Sequence, residues 1–483
     1  MPHSTGSPRP RKACVIGAGP NGLAAAIVLA QAGLDVELFE AESTVGGATR
    51  TMDLTLPGFH HDFGSAVHPL ATGSPFFTSL PLSNYGLDWI HSPATLAHPL
   101  DGGAAVILER DLYIAEPALG VDGAAWRSLM QPYATRWPDL AADILRPAIA
   151  VPRHPFLLAR FGLTALLPAT TVAHRHFRTE RTRALFAGLA AHSFLRLDQP
   201  LSASFGLVLG AAAHAVGWPI PRGGAQSLAN ALAAHFTHLG GRITTSTRIV
   251  SLADLPACDL ILCDVSPRQL LALTGQPPQS RLTDNYRAQL SNYRYGPAAF
   301  KVDYALSRPI PWNAPNCLRA SAVHIGGTLA EIASSEAAMS SGQTSEKPFV
   351  LLSQPTLFDP TRAPAGKHIA WAYCHVPDGS TEEMLDRIEA QIERFAAGFR
   401  SSILARHVLS PLGLEQQDAN LIGGDIVGGA MNLRQLLFRP TWRNYRTSAP
   451  DLYLCSASTP PGGSVHGMCG ANAARLALRN LTP

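Results

Sequence analysis

The stretch Ala13-Cys-Val-Ile-Gly-Ala-Gly-Pro-Asn-Gly-Leu-Ala-Ala-Ala-Ile-Val-Leu-Ala-Gln-Ala-Gly-Leu-Asp-Val-Glu-Leu-Phe-Glu40 decides the fold. Ala13–Ile16 is a short apolar run of the kind a buried parallel strand needs. An Ala-rich helix is predicted over Leu23–Ala32, stopped by Gly33, and Val36–Phe39 is the next strand. Between the first strand and the helix stands Gly17-Ala-Gly-Pro-Asn-Gly22. Gly17 permits a tight turn, Gly19 lets the backbone approach a pyrophosphate, and Gly22 lets helix and strand pack closely. Pro20 suits the first helical turn, where its missing N–H costs nothing. Pro20 and Asn21 thus stand where free N–H groups and the positive dipole end of a helix can meet an anion. Glu40 can accept both ribose hydroxyls and disfavours a 2′-phosphate. A lone glycine motif is a weak signal; the complete unit predicts an α/β protein with a Rossmann-like dinucleotide-binding domain.

The rest of the 483-residue chain is apolar, with 46% hydrophobic and 15% charged residues. That charged share is below the ~25% of ordinary soluble domains. A spanning helix needs roughly 18 uninterrupted apolar residues. The best stretches, Phe156–Ala169 and Phe205–Trp218, are too short, and the first carries Arg160. Disorder is excluded by the ample apolar surface, and the length suggests two or three domains. The 38 basic and 35 acidic residues nearly balance, and Arg9–Lys12 is only a short basic patch, so nucleic acid is not an expected partner. Only Lys12, Lys301, Lys347 and Lys367 are lysines, a bias that reads as coding composition rather than function. Seven scattered cysteines without a Cys-x-x-Cys predict reduced thiols in a cytoplasmic setting. Cys258 and Cys263 read as small buried hydrophobes on or beside one strand. Arg9–Lys12 followed by Ala13–Ala30 imitates a signal peptide, but the glycines break the apolar run and no cleavage site follows. The first ten residues read as disordered.

Beyond Glu40, Ala41-Glu-Ser-Thr-Val-Gly-Gly-Ala-Thr-Arg-Thr51 carries a second glycine pair. This resembles the FAD-binding extension shared by the amine oxidase and phytoene desaturase flavoproteins. The resemblance implies that Gly46, Gly47, Ala48 and Thr49 run along the pyrophosphate and ribityl of an extended FAD. Ala48 stands where the commonest form has Arg, and Glu42 replaces a basic residue near the adenine. Both departures argue against amine oxidation and leave FAD binding intact. Pro57–Ser65 resembles the loop in which phytoene desaturases return under the flavin. Asp451–Gly470 is similar to their C-terminal flavin motif, which implies flavin contacts at Ser456, Gly463, Val465 and His466. There, N–H groups at a helix N-terminus would face the flavin pyrimidine carbonyl. Ser456 and Ser458 replace glycines frequent in that motif. Pro221–Leu232 with Gly240–Val250 matches the family's central helix and strand. Val250 is implied to pair its backbone with adenine, and the hairpin usual after it is shortened to Ser251–Asp259. The full pattern looks closest to the branch called pyridine nucleotide-disulfide oxidoreductase domain-containing protein 2. No second Gly-x-Gly-x-x-Gly and no Cys-x-x-Cys occur, so neither a separate NAD(P)H domain nor disulfide reduction is expected.

These blocks imply a discontinuous FAD-binding domain over 1–115, 218–290 and 405–483. The segments 116–217 and 291–404 would form a second, α+β substrate domain. Ala299–Ala305, Phe349–Ser353 and His368–Cys374 read as strands of a mixed or antiparallel sheet. Glu331–Ser345 reads as an exposed helix or loop. Glu382–Phe399 reads as an amphipathic surface helix built on Met384, Ile388, Ile392 and Phe395. Phe156–Ala169 is taken as a buried helix of the second domain in preference to a lip touching membrane.

Among candidate chemical groups, His466 comes first: a base or flavin-tuning donor, weighed against a cap on the helix that follows. His61, with Asp62 and His68 beside it, is a second candidate for the active site. His192 and His214, on Ala-rich helices, read as satisfied core residues. Asp425 within Gly423–Gly429 reads as a turn-forming acid in a loop near the flavin. No zinc motif and no nucleophile elbow appear, so no metal is expected. The resemblance implies an FAD-dependent oxidoreductase of phytoene dehydrogenase type. It would desaturate, saturate or isomerise C–C bonds of a long apolar isoprenoid-, carotenoid- or lipid-like substrate. The alternatives are an amine oxidase, with Trp371 and Tyr373 as aromatic wall, or a non-catalytic FAD-binding scaffold. A cytoplasmic protein with peripheral membrane contact is expected, its oligomeric state left open.

Overall fold

Gly22 shows why the nucleotide unit closes. A Cβ there would stand 1.9 Å from the carbonyl oxygen of Gly17, so only glycine lets the helix lie on the strand. The computed structural model describes residues 11–481 and forms the strand Lys12–Ile16, the helix Pro20–Gln31 and the strand Asp35–Phe39. The helix begins at Pro20 rather than Leu23, with proline fixing the first helical φ. The first ten residues, read as disordered, lie outside the described residues.

Five parallel strands form the first sheet, in the order Leu452–Leu454, Leu260–Cys263, Lys12–Ile16, Asp35–Phe39, Arg242–Thr244. They come from three distant parts of the chain, so the domain is discontinuous. Being covered on both faces, the inner strands are continuous apolar runs such as Leu260-Ile-Leu-Cys263. The long strand read toward Val250 stops at Thr244; Val250 instead donates its N–H to the Asp254 carboxylate at 3.2 Å and is largely exposed. The helix Pro20–Gln31 is pressed between this sheet and the last helix, Met468–Leu481. All seven cysteines are free thiols.

The second sheet has seven strands, ordered Ile403–Leu409, Ala298–Leu306, His368–Val376, Val350–Ser353, Ala322–Ile325, Leu96–Leu100, Ala104–Leu108. All neighbours are antiparallel except Ala322–Ile325 beside Leu96–Leu100. This corrects two predicted boundaries. The hairpin Leu96–Leu108 belongs to the second sheet although it precedes residue 115, and Ile403–Leu409 runs across the 404/405 division. Neither the hairpin nor that strand carries a local signal of which sheet will take it.

One face of this sheet packs Phe300, Val302, Tyr304 and Cys374 against Met384, Ile388, Ile392 and Phe395 of the amphipathic helix, here Leu385–Phe395. The segment read as an exposed helix or loop is the helix Leu329–Ser340, started by a capping box between Thr328 and Glu331. It buries Leu329, Ile332 and Met339, and fully buries Glu336, which pairs with His375 at 2.9 Å. Phe156–Ala169 is broken: helices Pro155–Ala165 and Ala169–His176 meet at 95°. No single helix among the described residues is long and apolar enough to cross a membrane.

Candidate functional site

The carboxyl ends of the parallel strands open on one continuous cavity of about 950 Å³. Such crevices are where open α/β sheets hold ligands. Gly17, Gly19, Pro20, Asn21, Glu40, Gly47, Ala48, Thr49, Val250, Ser456, Gly463, Val465 and His466 all line it. Gly22 and Gly46 do not. Gly22 serves packing, and Gly46, at φ +126°, turns the chain while donating its N–H to Ala18 at 2.8 Å.

Glu40 is held at both oxygens by backbone N–H groups, Ala18 at 2.7 Å and Glu42 at 3.0 Å. That fixes the carboxylate edge and leaves its other lone pairs for ribose hydroxyls. Gly17 adopts φ +94°, and the nearest neighbour of a Cβ on Gly19 would be a side-chain oxygen, Asp264 Oδ2, at 3.0 Å. Asn21 Oδ1 and Ser65 Oγ, both of residues on the cavity wall, have no partner among the described residues. Missing Cβ atoms, a helix N-terminus and a ribose acid together fit a dinucleotide with a free 2′-hydroxyl. The cation missing at Ala48 is supplied nearby. Arg50 donates to the carbonyls of Gly47 (3.0 Å) and Gln417 (2.8 Å) and lies 3.7 Å from Glu42.

Asp264 was not legible as a site residue. It ends the strand Leu260–Cys263, is buried, and accepts the Gly22 N–H at 2.8 Å. Burial, with Asp418 and Glu40 nearby, pushes its carboxyl up to about 8. A neutral acid can stand beside phosphates where a carboxylate would repel them. Because the folded protein holds this proton more tightly than the unfolded chain, stability falls as pH rises from about 4 to about 8. Asp264→Asn is therefore expected to gain stability relative to the parent across pH 5 to 8. Urea midpoints at several pH values measure it, and a constant difference would show that Asp264 stays ionised.

His466 is buried, and its Nδ1 accepts the Met468 N–H at 3.0 Å, capping the last helix. Burial pushes its pKa down to about 4. A neutral ring that accepts at Nδ1 carries its proton on Nε2. His466 is thus a donor and not a base. His61 lies on the strand His60–Asp62, bonds Thr55 Oγ1 at 2.7 Å and does not line the cavity. Its Nδ1 lies 3.7 Å from the Asp303 carboxylate. His68 does line the cavity, buried against Trp89. His214 is a satisfied core residue, accepting from Trp126 at 2.8 Å and donating to the Arg110 carbonyl at 2.9 Å. His192 is not: it lines the cavity. Asp425 accepts three backbone N–H groups, from Gly296, Val427 and Gly428, and so shapes its loop.

Lys301 was also missed. It was read only as one position of an alternating strand, yet it is buried on the cavity wall and paired with Asp303. Burial pushes its ammonium down, and the ammonium in turn holds Asp303 below the usual carboxylate range. Trp371, with its ring 5.9 Å from the Lys301 ammonium, and Tyr373 stand beside it on the same wall. The other end of the cavity is apolar, lined by Leu158, Phe161, Ala165, Phe205, Val208 and Leu209. No cluster able to hold a metal ion occurs among the described residues.

Comparison with known proteins agrees with this geometry. Residues 15–77 match the family model described as NAD(P)-binding Rossmann-like domain. Over 97% of its length the chain is 27% identical to pyridine nucleotide-disulfide oxidoreductase domain-containing protein 2 of Rattus norvegicus, covering 93% of that protein. It is likewise 27% identical to the phytoene desaturase (lycopene-forming) of Pseudescherichia vulneris, over 97% of this chain and 99% of the other. The solved structure of cyclohexylamine oxidase from Brevibacterium oxydans superimposes with a TM-score of 0.60 at 15% identity, covering 98% of this chain and all of that one. All three are oxidoreductases by name, and the fold is that of the amine oxidase.

Proposed function

We propose that this protein binds FAD along the glycine cradle and is an oxidoreductase acting on C–C bonds of a long apolar molecule. The observation that carries the proposal is that one cavity joins the dinucleotide cradle to an apolar chamber. The full-length likeness to a phytoene desaturase supports the same substrate class. Bound FAD would supply hydride exchange. The chain's own residues position and dry the site. Leu158, Phe161 and Val208 exclude water from the chamber, and Asp303 fixes Lys301 as the cationic donor of the wall. Trp371 and Tyr373, at 5.0 Å between ring centroids, favour amine oxidation as a second reading.

The visible spectrum tests both. A flavin spectrum bleached by a polyene or isoprenoid and not by amines supports the first reading; bleaching by amines alone supports the second. Flavin that neither reduces points to a scaffold or a redox-neutral isomerase. Gly19→Val is expected to give folded, colourless protein, since the added methyls fill the path to the pyrophosphate. If the variant stays yellow, the cofactor lies elsewhere.

We also propose peripheral membrane contact through the helix Pro155–Ala165. Its inner face, Phe161 and Ala165, lines the cavity, while Phe156 and Leu163 are 89% and 78% exposed. An apolar substrate could thus pass from lipid to chamber along one helix. Co-flotation with anionic vesicles is expected, reduced several-fold by Phe156→Ser with Leu163→Ser. Absence of parent protein from the lipid fraction at low salt would remove this contact.

A further inference from the structure

The wall of the cavity also carries a pair of histidines. His324, on the strand Ala322–Ile325, and His192, at the end of the helix Glu180–Ala191, both line it. Their Nε2 atoms stand 3.0 Å apart. Reading across the sheet, His324 is paired with Leu351, Leu351 with Tyr373, and Tyr373 with Lys301. All four side chains belong to the cavity wall. Three strand-to-strand steps of ~4.8 Å put the histidine pair about 14 Å from Lys301. The wall therefore runs from a cation, past Tyr373 and Leu351, to two imidazoles.

The proton positions in this pair follow from its surroundings. A nitrogen–nitrogen hydrogen bond needs one N–H and one bare nitrogen. His324 is buried, and its Nδ1 has no partner among the described residues. It packs instead against Gly188, where an added Cβ would lie 2.8 Å from that nitrogen. Leaving a bare acceptor unpaired is milder than leaving an N–H unpaired, as orphaned buried N–H groups are the rarer. His324 then carries its proton on Nε2 and donates to His192. His192, accepting at Nε2, carries its own proton on Nδ1, which no side chain or backbone group among the described residues accepts. Burial holds both rings neutral, pushing His192 down to about 3 and His324 well below its ordinary value. The neighbouring histidines are otherwise engaged. His98 donates to the Gly327 carbonyl at 2.8 Å, and His375 to Glu336 at 2.9 Å. Trp218 walls the pair, its ring 5.8 Å from that of His192.

We propose that His192, oriented by His324, is the recognition site for a hydrogen-bond-accepting oxygen of the substrate, some three strands along the wall from Lys301. The ligand class is an elongated apolar molecule carrying a carbonyl, and not a pure hydrocarbon. This rests on the reading of the cavity as the chamber of an apolar substrate. His192 is a binding residue here and His324 a positioning residue.

The test uses the purified holoprotein with 2-tridecanone, labelled with ¹³C at the carbonyl, and tridecane, each delivered from cyclodextrin. Calorimetry is expected to show the ketone bound about tenfold more tightly, the worth of one buried hydrogen bond. The bound carbonyl stretch is expected at lower wavenumber than in alkane solvent. His192→Phe should abolish both the preference and the shift while leaving tridecane affinity in place. His192→Gln, which keeps a donor, should retain part of each. Gly188→Ala, which pushes His324 off its partner, should weaken the preference without touching the ligand, and it carries the test if His192→Phe does not fold. Equal affinity for the two probes with an unshifted carbonyl overturns this inference and leaves the apolar chamber standing. Binding of neither probe to flavin-loaded protein overturns the chamber itself.

Discussion

Gly470→Ala is expected to destabilise the protein by about 3 kcal/mol or more, beyond what an ordinary core truncation of one methylene would cost. A Cβ at Gly470 would lie 1.8 Å from the carbonyl oxygen of Asn21 and 2.7 Å from its carbonyl carbon. Both obstacles are backbone, and the helix that carries them cannot retreat. Its other side already rests on Gly17 through Gly22, where a Cβ would stand 1.9 Å from oxygen. The last helix must therefore move outward as a unit. The loop ahead of it holds Gly463, Val465 and His466 on the cavity wall, so flavin retention is expected to fall together with the urea midpoint. That pairing separates Gly470→Ala from Gly19→Val, which loses flavin while its fold survives. Gly162→Ala is the control: nothing lies within 4 Å of its added Cβ, and the helix interior gains about 0.5–1 kcal/mol. A Gly470→Ala protein as stable as its parent would mean that the two helices do not approach this closely.

The contrast between these glycines marks how far the sequence could be read. Gly17, Gly19 and Gly22 were legible because their task is local: within six residues the chain must turn, approach a phosphate and pack a helix. Glu40 was legible because an acid closing the second strand of such a unit is the residue expected to meet a ribose. Asp264, Lys301, His324 and Glu336 were not, since each acquires its role only through register. Lys301 faces the cavity because its strand pairs with His368–Val376 in the phase that also turns Trp371 and Tyr373 inward. A slip by one residue would bury Phe300 there instead. Two weaker signals did exist. Lys301 is one of four lysines in the chain and sits inside an apolar alternating strand, where an unpaired ammonium could not be tolerated. Asp264 follows the last residue of a strand paired with the one that leads into Gly17. The misplaced histidine, His61, failed for the same reason: the hairpin buries its ring beside Asp303 and not on the cavity wall.

Arg362→Met is expected to cost about 3–5 kcal/mol, the loss typical when one partner of a buried ion pair is removed. Arg362 is fully buried and donates twice to the His60 carbonyl, at 3.0 and 2.8 Å. It also lies 2.9 Å from Asp62. Asp62 in turn accepts from Thr51 Oγ1 and from the Ala225 N–H, both at 2.8 Å. One guanidinium thus ties a turn between two strands of the second sheet to the hairpin Thr51–Asp62 and to the start of the helix Gln226–His238. Methionine fills the volume but leaves Asp62 charged in a dry site and the His60 carbonyl without its donors. Most of the loss should come from the stranded carboxylate. Asp62→Asn keeps an oxygen for Thr51 and Ala225 while removing the charge, so the double variant is expected to be more stable than Arg362→Met alone. Arg362→Lys should fall between, since an ammonium restores the charge without the planar fork. Urea denaturation of the parent, Arg362→Met, Asp62→Asn and the double variant measures the coupling. If Asp62→Asn brings no recovery in the Arg362→Met background, the penalty lies in lost packing, and the ion pair does not hold the turn to the hairpin.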